Sequence, residues 1–203
     1  MKEGILLDIL EIAILIVFPL VLYYRQSGIK TGEIAIKIII LYLIWYLSYA
    51  MLHELCHMLG IWITGKTMSD YRLIPHFWEG NFKTAYVIYD FNSDPADFIV
   101  IILPYARDVL FSVGGILFLG KYRLRNLFIS GLIIILFILS PVFDIVNNYL
   151  AFLLGHMNDF NAIRSIAGGA ASHIIGIVFS LITLLLAARV IFRKEYIAGI
   201  NVG

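Results

Sequence analysis

The sequence predicts an all-α polytopic membrane protein of about five transmembrane helices, with a small hairpin-like insertion between helices two and three. Three observations carry this expectation. Of 203 residues, 61% are hydrophobic and only 14% are charged, and the mean hydropathy is +0.92. A water-soluble surface needs more charge than that, so most of this surface has lipid as its solvent. Five apolar stretches reach the roughly 20 residues that a bilayer core asks of a helix. The breakers Pro75, Gly80, Asn81 and Pro95 gather in one segment, residues 65–97.

The first stretch covers about residues 4–24. Asp8 and Glu11 interrupt it and no small-residue cleavage site ends it, so it reads as a retained helix and not a signal peptide. The second covers about residues 34–64 and carries His53, Glu54 and His57 towards its end. The insertion that follows holds two short runs, residues 71–78 and 82–91. Tyr86, Val87, Ile88 and Tyr89 in the second run are strand formers, which suggests a hairpin. The third, fourth and fifth stretches cover about residues 98–119, 127–154 and 160–192, the last long enough to tilt or protrude. No repeat is evident, so residues 1–203 are expected to form a single membrane-embedded domain with 65–97 outside the bilayer.

Threading five spans places Arg25, Lys30, Lys37, Lys121, Arg123, Arg125, Arg189, Arg193 and Lys194 on one side, against Lys2, Lys66, Arg72, Lys83 and Arg164 on the other. The richer set is expected to face the cytoplasm of a multi-pass cell-membrane protein, leaving the N-terminus and the insertion outside. The cluster Lys121, Arg123 and Arg125 reads as an ordinary anchor of that kind and not as a head-group site. A net charge of +1 gives no basic field for nucleic acid. The single cysteine, Cys56, excludes an internal disulfide and a CxxC pair. Any metal must therefore rest on histidine and carboxylate.

His53-Glu54-Leu55-Cys56-His57 fits the pattern HExxH. On a helix, positions i and i+4 share a face, so both imidazoles can reach one Zn2+. Glu54 lies close to that face and suits the general-base role: a proton taken from water and later passed to a leaving amine. Each ionisable group in a span costs about 2.5–3.5 kcal/mol even on the lenient insertion scale, and a bound cation is the compensation that three polar groups on one turn need. Cys56 is expected to be an apolar filler. Counted back from Gly65, the site lies about 10–18 Å from the helix end.

A catalytic zinc site takes three protein ligands and keeps the fourth position open. Two acids compete for the third place. Asp159, in Gly155-His156-Met157-Asn158-Asp159, lies in the polar break before the last helix, where it would otherwise serve as an N-cap. Asp144 lies within the fourth stretch near Asn147 and Asn148, and could instead hydrogen-bond a ligating histidine.

These residues resemble the site-2 protease class of intramembrane zinc metallopeptidases. In that family an HExxH in one membrane helix is completed by an Asp at the start of a later helix, after an Asn-x-x-Pro element and within Leu-Asp-Gly. Here the matching pieces are His53, Glu54 and His57, then Asn147 or Asn148, then Asp159. No proline precedes Asp159 in the break, and Phe160 stands where the family has Gly. The resemblance implies a zinc-dependent endopeptidase that cuts membrane-protein substrates within or near their spans. The alternative from another class is a non-hydrolytic metal-binding membrane protein, a carrier or an inactive protease-like regulator. A prenyl-protein protease would want a later Glu ligand, and the only Glu after Glu79 is Glu195 near the C-terminus.

Arg107 and Asp108, inside the third stretch, read either as mutual charge neutralisation or as oxyanion stabilisation by Arg107. His173, beside Gly168, Gly169, Ala170 and Ala171, reads as a helix-contact residue. His156 is the reserve ligand and His76 belongs to the insertion. The hairpin has two readings, an edge that holds an extended substrate by strand addition and an interfacial loop anchored by Trp78 and Tyr86.

Overall fold

The computed structural model describes residues 9–26, 30–74, 85–122, 124 and 126–192. Five of its helices are long and apolar enough to cross a membrane. They are α1 (Ile9–Gln26), α2 (Thr31–Thr64), α3 (Pro95–Lys121), α4 (Leu127–Leu153) and α6 (Gly169–Phe192). The short α5 (Asp159–Ala167) precedes α6. Strands β1 (Met68–Arg72) and β2 (Tyr86–Tyr89) form an antiparallel pair between α2 and α3. The chain is thus a multi-pass integral membrane protein. Its exposed residues fit that solvent: Trp62 is 79% exposed, Leu110 70% and Leu185 68%, positions that water would penalise and lipid tails do not. His76, Trp78, Pro75, Gly80, Asn81, Lys2, Lys83, Arg123, Arg125, Arg193, Lys194 and Glu195 lie outside the described residues.

Two expectations are corrected. The last helix is not one rod from residue 160 to 192, because it breaks at Gly168, whose φ of 88° lies outside the helical region. The first strand runs over Met68–Arg72 and not over residues 71–78, the later part of which is outside the described residues. The reason is the end of α2. Lys66 N–H donates to the Ile61 carbonyl and Gly65 N–H to that of Trp62, the paired bonds of a Schellman stop, with Gly65 at φ 69° as that motif requires. The chain is turned at once into β1, where pairing with Ile88 overrides the weak strand propensity of Asp70 and Ser69 falls at a shift in the register between Met68 and Asp70. Arg72 pairs with Tyr86 and lies over its ring at 5.3 Å.

The chain divides into two compact units. The first comprises Met1–Trp45, Asp108–Asn147 and Phe179–Gly203. In it Tyr23 hydroxyl meets Ser130 at 2.5 Å, the Tyr24 hydroxyl donates to the Leu127 carbonyl at 3.2 Å, and the Trp45 ring packs edge-on to Phe143 at 4.9 Å. Glu11 accepts a hydrogen bond from Asn147, which compensates a carboxylate placed inside a span. Asp144 belongs to this unit and is 1% exposed.

The second unit comprises Tyr46–Arg107 and Asn148–Val178. At the root of its hairpin Lys66 Nζ lies 2.7 Å from Asp94 Oδ2 and 2.9 Å from Asp97 Oδ1. Asp97 Oδ2 also accepts from the amides of Asn92 and Asp94. This clasp ties the end of α2 to the start of α3 across the hairpin. The Asp94 carboxyl is held below its ordinary value by its bond to Lys66, and the same bond raises Lys66. A depressed carboxylate stabilises the fold at pH above its ordinary value of about 3.9 and ceases to as pH falls through its lowered one. Lys66 stays charged throughout that range. Hydrogen exchange of the β1 and β2 amides is therefore expected to be slow relative to the chemical rate at neutral pH and to lose protection below about pH 4. Constant protection from pH 7 to 3 would show that the clasp does not hold the hairpin.

Candidate metal centre

His53 and His57 stand one turn apart on α2, both 8% exposed, with ring centroids 4.9 Å apart. Their Nε2 atoms face each other at 3.1 Å. Asp159 reaches them from the first turn of α5, its Oδ2 3.1 Å from His53 Nε2 and 3.3 Å from His57 Nε2. Among the described residues these three form a cluster whose ligand atoms lie within 4.8 Å of one another.

The polar break after α4 aims the aspartate. His156 N–H donates to the Ala151 carbonyl and Gly155 N–H to that of Phe152, ending α4 in the same glycine stop as α2, with Gly155 at φ 82°. The N-cap of α5 is Asn158 and not Asp159: its side chain accepts from Phe160 N–H, while Asn161 accepts from Asn158 N–H. Asn158 also donates to the Asn148 carbonyl at 2.6 Å. With capping assigned to its neighbour, Asp159 is released to point at the histidines, and an anion in the first helical turn is favoured by the helix dipole. Phe160 and Ile163 are fully buried and fix the roll of α5.

α3 supplies the surrounding shell. Pro104 lies inside it and has no N–H, so the carbonyl four residues earlier, at Val100, loses its regular helical donor. His57 Nδ1 takes that carbonyl at 3.0 Å. A carbonyl only accepts, so Nδ1 carries a proton, and the tautomer with that single proton presents its Nε2 lone pair to the cluster. The approach needs Gly60, where a Cβ would stand 2.7 Å from Val100 Cα. Tyr105 follows Pro104, and its hydroxyl donates to Asp159 Oδ2 at 2.9 Å.

These donors fit a zinc-type ion. Ligand atoms about 2.0–2.1 Å from a tetrahedral centre lie about 3.3 Å apart, and the three separations here are 3.1, 3.1 and 3.3 Å. With the His57 proton on Nδ1, its Nε2 and Asp159 Oδ2 are both acceptors and oppose lone pair to lone pair at 3.3 Å unless a cation or a proton lies between them. Burial pushes the Asp159 carboxyl up, but where the imidazoles of His57 and His53 are protonated their charge and hydrogen bonds outweigh it and hold the group well below the ordinary carboxylate range. It therefore remains an anionic donor.

No family model matches the chain, and neither a curated protein nor a solved structure matches it. The site is characterised by its own geometry.

The cluster opens on a cavity of about 430 Å³ lined by His53, Glu54, His57, Asp159, Asn148, Ile101, Ala162, Phe91 and strand β2. Glu54 thus shares a cavity with the three donors. Of the two aspartates considered from sequence, Asp159 stands in the cluster and Asp144 does not. Asn148, and not Asn147, lines the cavity. Neither Arg107 nor Asp108 is among the lining residues, so the oxyanion reading of Arg107 gains nothing from the geometry. Exposed His156 shapes the α4 stop through its backbone, and His173 bonds Tyr149 hydroxyl at 3.1 Å. Sequence reasoning passed over Pro104, Tyr105 and Gly60. Pro104 left a usable signal, since a proline inside a span frees one carbonyl, and that carbonyl belongs to a residue one can name.

Proposed function

We propose that the protein is a zinc-dependent intramembrane endopeptidase of the site-2 protease type, acting on membrane-protein substrates. The observation that carries the reading is the convergence of His53, His57 and Asp159 to tetrahedral-ligand spacing, beside a carboxylate, Glu54, that lines the same cavity. Zinc, when bound, supplies Lewis acidity towards water and towards the scissile carbonyl. His53, His57 and Asp159 would hold it. Glu54 accepts a proton from water as the new C–O bond forms, then delivers it to the amide nitrogen as the C–N bond breaks. Strand β2 lines the cavity and offers an extended edge for a locally unwound substrate. The N-terminus and hairpin are assigned to the outer side, because Lys and Arg are in excess on the other.

The test is cleavage of a panel of single-span membrane proteins by the full chain in proteoliposomes. Cleavage is expected to stop after chelation and to return with added Zn2+. Stoichiometric zinc binding without cleavage, accompanied by metal flux in sealed vesicles, would replace this reading with that of a carrier.

A further inference from the structure

We propose that Tyr105 is a positioning residue that holds Asp159 to a single donor oxygen, an inference that rests on the metal-site reading above. The hydroxyl of Tyr105 donates to Oδ2 at 2.9 Å, and Oδ2 is the same atom that lies 3.1 Å from His53 Nε2 and 3.3 Å from His57 Nε2. A carboxylate oxygen has two lone-pair directions. With one given to Tyr105, the other is left for a cation held between the imidazoles. Without the phenol, the carboxylate rotates about its terminal bond and offers either oxygen, or both.

The ring is placed to do this. Tyr105 is fully buried, packs against His53 with centroids 5.8 Å apart, and packs against Phe160, the neighbour of Asp159, at 5.2 Å. One side chain of α3 is therefore wedged between the ligand of α2 and the ligand of α5. A phenol suits the position because it donates a hydrogen bond without bringing a charge, so it orients the anion without neutralising it. Outer partners of this kind raise metal affinity by about 10–100-fold.

The test is Co2+ titration of the full chain in detergent, followed by visible absorption, for the wild type and Tyr105→Phe. The variant keeps the ring and removes only the donor. Its Co2+ affinity is expected to fall about 10–100-fold, and its visible bands to lose intensity as the freed carboxylate binds through both oxygens and raises the coordination number. A second variant with 4-fluorophenylalanine at position 105 fills the hydroxyl's volume without donating, and is expected to behave as Tyr105→Phe does. Wild-type affinity and spectrum in either variant would overturn the inference alone. Failure of the wild type to bind Co2+ would overturn the metal-site reading and the inference with it.

Discussion

Glu54→Gln is expected to lower peptide-bond cleavage by about 10²–10⁴-fold while bound zinc stays at the wild-type level. The two halves of this result come from the geometry. The three donor atoms belong to His53, His57 and Asp159, so the metal site keeps its ligands in the variant. The amide of Gln has the shape of the carboxylate but cannot take up a proton at neutral pH, and the transfer from water to the leaving nitrogen loses its carrier. Glu54 is half-buried and faces the cavity, and the substitution removes a charge there while keeping the side chain's shape. Measured as initial rates in proteoliposomes with metal content determined in parallel, undiminished cleavage would sink the role of Glu54. Loss of zinc together with loss of cleavage would instead make Glu54 part of the metal site.

The spans were legible because apolar length is a one-dimensional property: a run of about 20 apolar residues with few charges does not depend on how the helices pack. The HExxH was legible for a similar reason, since i and i+4 share a helical face whatever surrounds them. The last helix was misread because Gly168 and Gly169, followed by Ala170 and Ala171, look like a close-packing face. Only a positive φ at Gly168 marks the break. Capping, the other role open to Asp159, falls to its neighbour, because Asn158 and Asp159 are adjacent and are both good caps. Which of them caps decides which is released for the metal, and that depends on Asn148 drawing the Asn158 side chain to its carbonyl. The choice of Asp159 over Asp144 was legible in part, because threading puts Asp159 on the same side as the end of α2, and Asp159 is the one that stands in the cluster. Tyr105 left no trace in sequence, since its role is a hydrogen bond across 54 positions. A buried tyrosine in an apolar span reads as packing until its hydroxyl is followed to a partner.

Gly60→Ala is expected to cost about 1–3 kcal/mol of stability, the usual range for overpacking, and to weaken metal binding by about 10–100-fold. The added Cβ would stand 2.7 Å from Val100 Cα. That contact is to backbone, which has no rotamer to escape into, so α3 must move away from α2 at this level. Val100 is also where the freed carbonyl accepts from His57 Nδ1. Retreat of α3 lengthens that bond, and His57 loses the contact that fixes its tautomer and ring plane. Gly114→Ala is the control, since Gly114 lies in α3, the helix of Val100, with nothing within 4 Å of its added Cβ. There alanine's better helix propensity, about 0.8–1.0 kcal/mol over glycine, should leave the protein equally or more stable. Thermal unfolding in detergent and zinc affinity for the two variants separate the outcomes. If Gly60→Ala matched Gly114→Ala in both measurements, the close approach of α3 to α2 would not be what orients His57. If it lost stability alone, the approach would be a packing contact without a part in the metal centre. Loss of both is the result that ties a single missing side chain on α2, through one backbone carbonyl of α3, to the ligand it supports.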